Sequence, residues 1–300
     1  MSKPLGGHPA GVARLVSAAL EPRAFTVERD GAGLSGEAVG EGPVIVLAHG
    51  LTASRRYVVH GSRVLPRQGF RAVSYDARGH GESDPAPGGR GYGYGELAGD
   101  LGAVIDQLGG GRRCVLVGHS MGAHTLIAHA LGAADRVAAV VPIGPTFLGA
   151  AASEETLAYW DRLADGLEQG GVEGFVAAYD RDLEPRWRET LLRITRDRLA
   201  VHRHPEAVAQ ALREVPRSRP FEDLAELEFL ELPALVVASH DQADPGHPYA
   251  VAEAWADRMP RASVVSERPG ASPLAWQGGR LSREIAAFCE RPDVAERLAA

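Results

Sequence analysis

The sequence has few cysteines and no long hydrophobic run, and both shortages limit what the chain can be. Its 300 residues include two cysteines, Cys114 and Cys289, which form no Cys-x-x-Cys pair and cannot make a disulfide framework. No apolar run approaches the ~20 residues that a membrane-spanning helix needs. The apolar stretch 12–20 is broken by Arg14 and Ser17 and lacks a clear cleavage site, which argues against a secretory signal. We therefore expect a cytoplasmic protein without a membrane span.

Positive charge is also scarce. The chain has 32 Lys and Arg against 39 Asp and Glu, a net charge of −7. A surface that binds nucleic acid carries the opposite sign, so we expect no nucleic-acid partner. The chain also has no metal-ligand or nucleotide-binding motif, which predicts no metal and no other cofactor. A small molecule is the expected partner, and the oligomeric state is not predicted.

Short apolar runs alternate with longer helical patterns along the chain. The runs are apolar throughout, which is typical of strands covered on both faces. The segments between them are long enough for crossover helices, so the pattern predicts an α/β fold with a mostly parallel, doubly wound sheet. The predicted strands are 44–48, 70–75, 114–117, 137–143, 234–238 and 262–265. The weaker, glycine-rich stretch 25–39 is predicted to supply an antiparallel edge hairpin.

One connection is too long for a simple crossover. Between residues 146 and 230 there is no strand-like run, and Leu157, Trp160 and Leu163 begin an apolar series at helical spacing. We interpret this segment as an inserted helical cap. The predicted division is a core formed by 1–145 and 231–300, with an N-terminal extension at 1–23, and a cap at 146–230.

A serine motif follows the third predicted strand and precedes a helical pattern. It reads Gly118-His119-Ser120-Met121-Gly122. A serine between strand and helix is held on a strained turn that projects its Oγ above the sheet. The start of the helix offers an amide and the positive end of a dipole to a developing oxyanion. Such a pentapeptide can occur by chance in a glycine-rich chain, so the strand and helix around it carry the prediction that Ser120 is the nucleophile.

Three motifs together resemble the α/β-hydrolase superfamily, in its cap-bearing esterase and lipase-like branch. They are His-Gly at 49–50, Asp-Ala-Arg-Gly-His-Gly-Glu-Ser at 76–83, and the serine motif at 118–122. The resemblance runs from about residue 25 to 290 and is specific for the fold rather than for the substrate. It implies that the amides of Leu51 and Met121 form the oxyanion hole. The loop 76–83 is interpreted as structural.

In this family a catalytic acid follows the strand after the cap, and two aspartates fit. Asp244 heads an Asp-Pro turn at the expected spacing before the next helix, whereas Asp241 lies closer to the end of the strand. We favour Asp244 and keep Asp241 as the alternative. Either could instead form an Asx turn or a helix cap.

The histidine that the family carries after the last strand has no counterpart. The matching loop 269–276 has Ser272 or Pro273 at that position, and His247 is the last histidine of the chain. A serine without a base is a poor nucleophile, and loss of a triad base typically costs on the order of 10⁶ in turnover. We therefore expect slow or atypical turnover, unless another histidine supplies the base. The candidates are His49, His119, His202, His204, His240 and His247.

These features predict a serine hydrolase with an atypical triad that acts on a carboxylic ester or a related acyl substrate. The alternatives are a non-hydrolytic enzyme of lyase or cyclase type and a ligand-binding protein that keeps the serine turn as scaffold. A hydrophobic acyl or aromatic substrate is expected to contact Phe147 and Trp160, with His49 and His119 near them. For His49, hydrogen bonding to the local backbone is favoured over a catalytic role.

Overall fold

A computed structural model describes residues 20–300, so most of the predicted N-terminal extension lies outside the described residues. The strands are β1 (Arg23–Arg29), β2 (Ala32–Val39), β3 (Val44–Ala48), β4 (Arg71–Tyr75), β5 (Cys114–His119), β6 (Val137–Ile143), β7 (Ala234–Val237) and β8 (Ala262–Val265). Within this part of the chain they form one sheet in the order β1-β2-β4-β3-β5-β6-β7-β8. The hairpin β1–β2 and the β2–β4 pair are antiparallel, and the other pairs are parallel. The predicted sheet and its edge hairpin are confirmed.

Helices connect most of the parallel strands. The α-helices are α1 (Val64–Arg67), α2 (Tyr94–Leu108), α3 (Met121–Gly132), α4 (Glu154–Tyr179), α5 (Arg188–Leu199), α6 (Pro205–Glu214), α7 (Tyr249–Arg258), α8 (Gly278–Cys289) and α9 (Pro292–Ala299). Shorter 3₁₀ turns lie at Arg55–Tyr57, Pro87–Gly89, Ala134–Arg136, Asp180–Asp182, Val215–Arg217, Leu224–Phe229 and Leu274–Trp276. From residue 20 onward, none of the helices is both long and apolar enough to cross a membrane.

Both faces of the sheet are covered because the central strands are apolar on both sides. In β3, Val46 faces one hydrophobic cluster and Ile45 and Leu47 face the other. The first cluster is completed by α2, α3 and α7, through residues such as Leu101, Leu126 and Trp255. The second is completed by α8 and α9, through residues such as Leu281, Ile285 and Leu298. This arrangement is the doubly wound architecture that the continuous apolar runs predict.

The long connection between β6 and β7 is helical, as predicted. Its helices α4, α5 and α6 share a hydrophobic cluster that includes Leu163, Leu199 and Leu212. Helix α4 is interrupted at Gly171, whose φ of 58° is readily available to glycine. Leu51, from the loop after β3, packs against the same cluster. We keep the division into a core and a cap at residues 146 and 230 as a proposal.

The loop 76–83 is anchored by buried charges. Arg78, 3% exposed, donates to both carboxylate oxygens of Asp100, at 2.7 and 2.5 Å. Asp76 is ion-paired with Arg55 and accepts a hydrogen bond from the amide of Glu82 at 3.1 Å. These contacts fix the loop beside the carboxyl ends of β3 and β4.

Candidate active site

Ser120 lies on a sharp turn between β5 and α3. Its φ and ψ are 52° and −113°, a conformation that is rare and costly for a residue with a side chain. The turn fits because glycine lies on both sides of it. A Cβ on Gly122 would lie 2.1 Å from the carbonyl oxygen of Ala48, and one on Gly118 would lie 2.3 Å from the carbonyl carbon of Gly122. The backbone is therefore strained at the serine and close-packed around it, as expected for a nucleophile elbow.

The loop after β3 turns tightly beside this serine. The amide of Ala53 donates to the carbonyl of Gly50 at 3.0 Å, and Thr52 between them has a φ of 66°. A Cβ on Gly50 would lie 3.4 Å from the Cβ of Ser120, so the two turns are in contact. Met121 is the first residue of α3, where amides lack a partner within the helix. The Leu51 and Met121 amides thus belong to two turns that meet at Ser120, and their role in an oxyanion hole stays a prediction.

A carboxylate and an imidazole are paired on the loop after β7. The Nδ1 of His247 lies 2.8 Å from Oδ2 of Asp244, and the two side chains are 21% and 27% exposed. The His247 ring lies 5.0 Å from the ring of His119, centroid to centroid, and its Cδ2 would lie 3.2 Å from a Cβ placed on Gly144. His119 directly precedes Ser120, and Gly144 directly follows Ile143, whose carbonyl accepts the Ser120 amide at 2.9 Å. The pair therefore lies beside the elbow and within reach of solvent.

The electrostatics of this pair favour an ionised carboxylate. Burial alone would raise the pKa of Asp244, but the charge of His247 and the hydrogen bond to it lower that pKa below 3.8. Burial and the nearby His247 lower the pKa of His119 to about 3. His119 is thus neutral at physiological pH and too weakly basic to hold a proton taken from a serine, whereas His247 has the carboxylate that orients a catalytic imidazole.

The alternative acid has a different environment. One carboxylate oxygen of Asp241 accepts the amide of Ala243 at 3.0 Å, which closes a short turn. Its other oxygen is buried without a hydrogen-bond partner within residues 20–300. Burial raises the pKa of Asp241, which disfavours the charged form. The structure brings Asp244 together with a histidine and leaves Asp241 as a turn residue.

His49 is held by the backbone on both ring nitrogens. Its Nδ1 lies 2.8 Å from the carbonyl of Gly50, and its Nε2 accepts the amide of Ala77 at 2.9 Å. Burial lowers the pKa of His49. This geometry agrees with the favoured structural interpretation of His49, and its substrate contact stays a prediction.

The two histidines after α5 are also engaged elsewhere. His202 accepts the amide of Gly81 at 2.8 Å, and its Nε2 lies 2.9 Å from the carbonyl of Thr52. His204 lies 3.3 Å from the carboxylate of Glu206 at the start of α6. Neither histidine is hydrogen-bonded to Ser120. His202 instead connects the segment after α5 to the loop that follows β3.

The loop after β8 contains no histidine. Ser272 is exposed, and the charged side chain that this loop buries is that of Glu267, 2% exposed. Its carboxylate accepts the amide of His240 at 2.6 Å and the hydroxyl of Ser239 at 2.9 Å. The ring of His240 is stacked on Tyr249 at 4.2 Å. Glu267 therefore joins the loops after β7 and β8, a role that the sequence pattern did not indicate.

The predicted aromatic contacts pack into the protein. The Phe147 ring lies 5.0 Å from that of Phe221, and its carbonyl accepts the indole N–H of Trp255 at 2.6 Å. The Trp160 ring packs on Tyr159 at 5.3 Å within the cluster of α4, α5 and α6. The structure gives both side chains protein neighbours, so their substrate contacts stay a prediction. Within residues 20–300, no group of histidine, cysteine or acidic side chains is arranged to hold a metal ion.

Comparison with known proteins agrees with the fold. Residues 43–261 match the family model for the alpha/beta hydrolase fold. The chain is 32% identical over 123 residues to epoxide hydrolase 2 of Siraitia grosvenorii, covering 41% of this chain and 39% of that protein. It is 37% identical over 110 residues to an sn-1-specific diacylglycerol lipase of Mus musculus, covering 35% and 34%. The match thus spans less than two fifths of either relative.

A solved structure extends the agreement to nearly the whole chain. A thermophilic esterase from Thermogutta terrifontis superposes with a TM-score of 0.73 at 24% identity, covering 90% of this chain and 98% of that one. At this level of identity the superposition establishes the fold. The sheet order, the strained serine turn and the family match lead to one conclusion: the chain belongs to the alpha/beta hydrolase fold family.

Proposed function

We propose that the protein is a serine hydrolase that cleaves an ester-type bond with Ser120 as nucleophile, His247 as base and Asp244 as the acid that orients it. The observation that carries this proposal is the 2.8 Å contact between His247 and Asp244 beside the elbow. The triad would then keep its three residue types, with the histidine three positions after the acid instead of after β8. A triad is defined by geometry and roles, so this order is chemically sufficient.

In the first half of the reaction, Nε2 of His247 takes the proton of Ser120 as Oγ attacks the carbonyl carbon of the ester. The amide of Leu51, in the loop after β3, and that of Met121, at the start of α3, stabilise the charge that develops on the carbonyl oxygen. Collapse of this intermediate breaks the bond to the alkoxide. The alkoxide takes the proton from His247 and leaves as an alcohol, and the acyl group stays on Ser120.

In the second half, water replaces the alcohol. As the oxygen of the water attacks the acyl carbon, His247 takes a proton from the water. His247 then gives this proton to Oγ of Ser120 as the carboxylic acid leaves. Asp244 stays ionised throughout and stabilises the imidazolium that forms twice. In the free enzyme the contact between nucleophile and base is often long and shortens when the substrate binds.

The names of the relatives support hydrolysis as the reaction class, since they include an epoxide hydrolase and a lipase. The serine at the elbow favours an acyl substrate, because it forms an ester intermediate that water can cleave. The predicted slow turnover rested on the absence of a base. His247 in that role removes the reason for slow turnover, so we propose efficient cleavage of a suitable ester.

The test compares the wild type with Ser120→Ala on 4-nitrophenyl esters and on styrene oxide. We expect ester turnover that falls roughly 10³-fold or more in S120A, and an organophosphonate adduct that peptide mass spectrometry assigns to Ser120. Circular dichroism controls for folding of the variant. Equal ester turnover by wild type and S120A would contradict the proposal, as would turnover of the epoxide alone or a wild-type protein that takes no label.

A further inference from the structure

One arginine near the elbow forms no ion pair within residues 20–300 and has a buried nitrogen. Arg198 lies in the last turn of α5, and its Nε is buried without a hydrogen-bond partner within residues 20–300. A buried polar atom without a hydrogen-bond partner is costly, and native proteins rarely leave one. The unpartnered atom therefore needs an explanation.

Several other arginines between β6 and β7 form ion pairs. The pairs are Arg162 with Asp182, Arg188 with Asp180, Arg196 with Glu173, Arg213 with Asp165 and Glu168, and Arg217 with Asp161. Arg198 takes part in none of these pairs. An acidic residue, Asp197, is adjacent to Arg198 in the sequence but does not form an ion pair with it. Arg181, Arg186, Arg193 and Arg203 also form no ion pair, but they are exposed, so between β6 and β7 a buried unpartnered nitrogen and the lack of an ion pair coincide only at Arg198.

That position is close to the loop after β3, which carries the amide of Leu51 proposed for the oxyanion hole. Leu199 belongs to the hydrophobic cluster against which Leu51 packs. Four residues beyond Arg198, the ring of His202 lies 2.9 Å from the carbonyl of Thr52. The residues that follow Arg198 therefore hold the end of α5 near the Leu51–Thr52 turn.

The charge of Arg198 reaches the catalytic pair and two tyrosines. It contributes to the lowered pKa of both His119 and Asp244. Burial raises the pKa of Tyr57 and Tyr179, and the charge of Arg198 opposes that rise in both. The guanidinium is thus close enough for its charge to act on His119, Asp244 and two phenolic hydroxyls. Asp244 is already paired with His247, so it is not the missing anion.

We propose that Arg198 binds a carboxylate of the substrate, so that the preferred ester carries a negative charge a few bonds from the bond that is cleaved. This inference rests on the proposed function and names its substrate class. A guanidinium offers several N–H donors to one carboxylate, and tyrosine hydroxyls can add to them. Arg198 is then a specificity-determining residue, and the ion pair forms when the substrate enters.

The test uses matched pairs of esters that differ in one carboxylate. On the acyl side, 4-nitrophenyl hydrogen adipate is compared with 4-nitrophenyl hexanoate. On the alcohol side, 4-acetoxybenzoate is compared with 4-methylphenyl acetate. We expect the wild type to prefer at least one anionic ester. Arg198→Met should lower kcat/KM for that ester about 10- to 100-fold, the range of one charged hydrogen bond, and change the neutral partner less than threefold.

The matched control is Arg193→Met, on the same helix, where the arginine is exposed. It should leave every ratio unchanged. Equal losses on anionic and neutral esters in R198M, or a wild type without anionic preference on either side, would overturn the proposal.

A binding measurement separates this inference from the proposed function. In carboxylate-free buffer, adipate should raise the midpoint of thermal unfolding of the wild type and of Arg193→Met but not of Arg198→Met. If no ester is cleaved and this difference persists, hydrolysis fails and the anion site stands. If adipate shifts all three proteins equally or none of them, the anion site fails.

Discussion

At the scale of single residues, the chemistry depends on which aspartate faces a histidine. Asp244 is hydrogen-bonded to His247, and that histidine lowers the pKa of its carboxylate. Asp241 lies three residues earlier, where burial raises the pKa and one oxygen has no partner among the described residues. An ionised carboxylate fixes the tautomer of an imidazole and stabilises its protonated form, so only the first environment suits the role.

Paired substitutions of these aspartates separate the two assignments. Asp244→Asn should lower kcat on a 4-nitrophenyl ester by roughly 10³- to 10⁴-fold, since an amide cannot stabilise the imidazolium. Asp241→Asn keeps the acceptor for the Ala243 amide and should change kcat less than threefold. Steady-state kinetics at pH 8 measure both. A larger loss in D241N than in D244N would reverse the assignment.

The sequence could predict part of this arrangement. The serine turn follows from a Gly-x-Ser-x-Gly motif between strand and helix, and Asp244 from its place after the strand that follows the cap. The pairing of Asp244 with His247 could be listed among several candidates but not selected. The three-residue spacing within a turn was the available signal, and only the loop conformation tells whether the imidazole turns back to the carboxylate. Arg198 could not be found, because a missing partner is visible only in three dimensions.

At the scale of elements, buried histidines join the helical connection to the loops around the elbow. The rings of His49 and His80 lie 5.2 Å apart, and those of His80 and His202 lie 5.6 Å apart. Burial lowers the pKa of all three, that of His202 to about 4. Since His202 is hydrogen-bonded to Thr52 and Gly81, its neutral form holds the loop after β3 and the loop 76–83 to the segment after α5.

This cluster predicts a loss of stability in acid. Below pH 6.5 the unfolded chain protonates His202, while the folded protein keeps it neutral down to about pH 4. Its contribution is therefore complete above pH 6.5 and falls with the pH below that value, by roughly 1.4 kcal/mol per unit for one histidine. His202→Gln keeps a donor and an acceptor without titrating, so its free energy of unfolding should fall less between pH 6.5 and 4.5.

Urea unfolding at several pH values measures this difference. The matched control is His204→Gln, which removes an imidazole that contacts Glu206 instead of the two loops. The control should keep the wild-type dependence on pH. Parallel curves for wild type and H202Q would contradict the role given to His202.

At the scale of the whole molecule, the fold is compatible with the proposed base on the loop after β7 instead of the loop after β8. Parallel strands end at one edge of the sheet, so the loops after β3, β5, β6 and β7 all meet near Ser120. A histidine on the loop after β7 reaches the elbow from the same edge as one after β8. Glu267 then takes a structural position, joining the amide of His240 to the loop after β8.

The same geometry shows why the fold was more predictable than the site. Strands such as β3 and β6 are apolar throughout, and burial on both faces leaves few arrangements other than a covered parallel sheet. The site depends instead on side-chain directions in loops, which composition and spacing do not specify. Phe147 illustrates this limit, since its apolar character fits a substrate pocket and the packing against Phe221 equally well.

The central claim is that His247 activates Ser120. The most direct measurement is the rate at which a fluorophosphonate labels Ser120, followed by intact mass, in the wild type, His247→Gln and His119→Gln. We predict that H247Q slows labelling roughly 10³-fold or more, because the serine loses its base, while H119Q slows it less than tenfold. Labelling of H247Q at the wild-type rate, with its fold intact, would contradict the account.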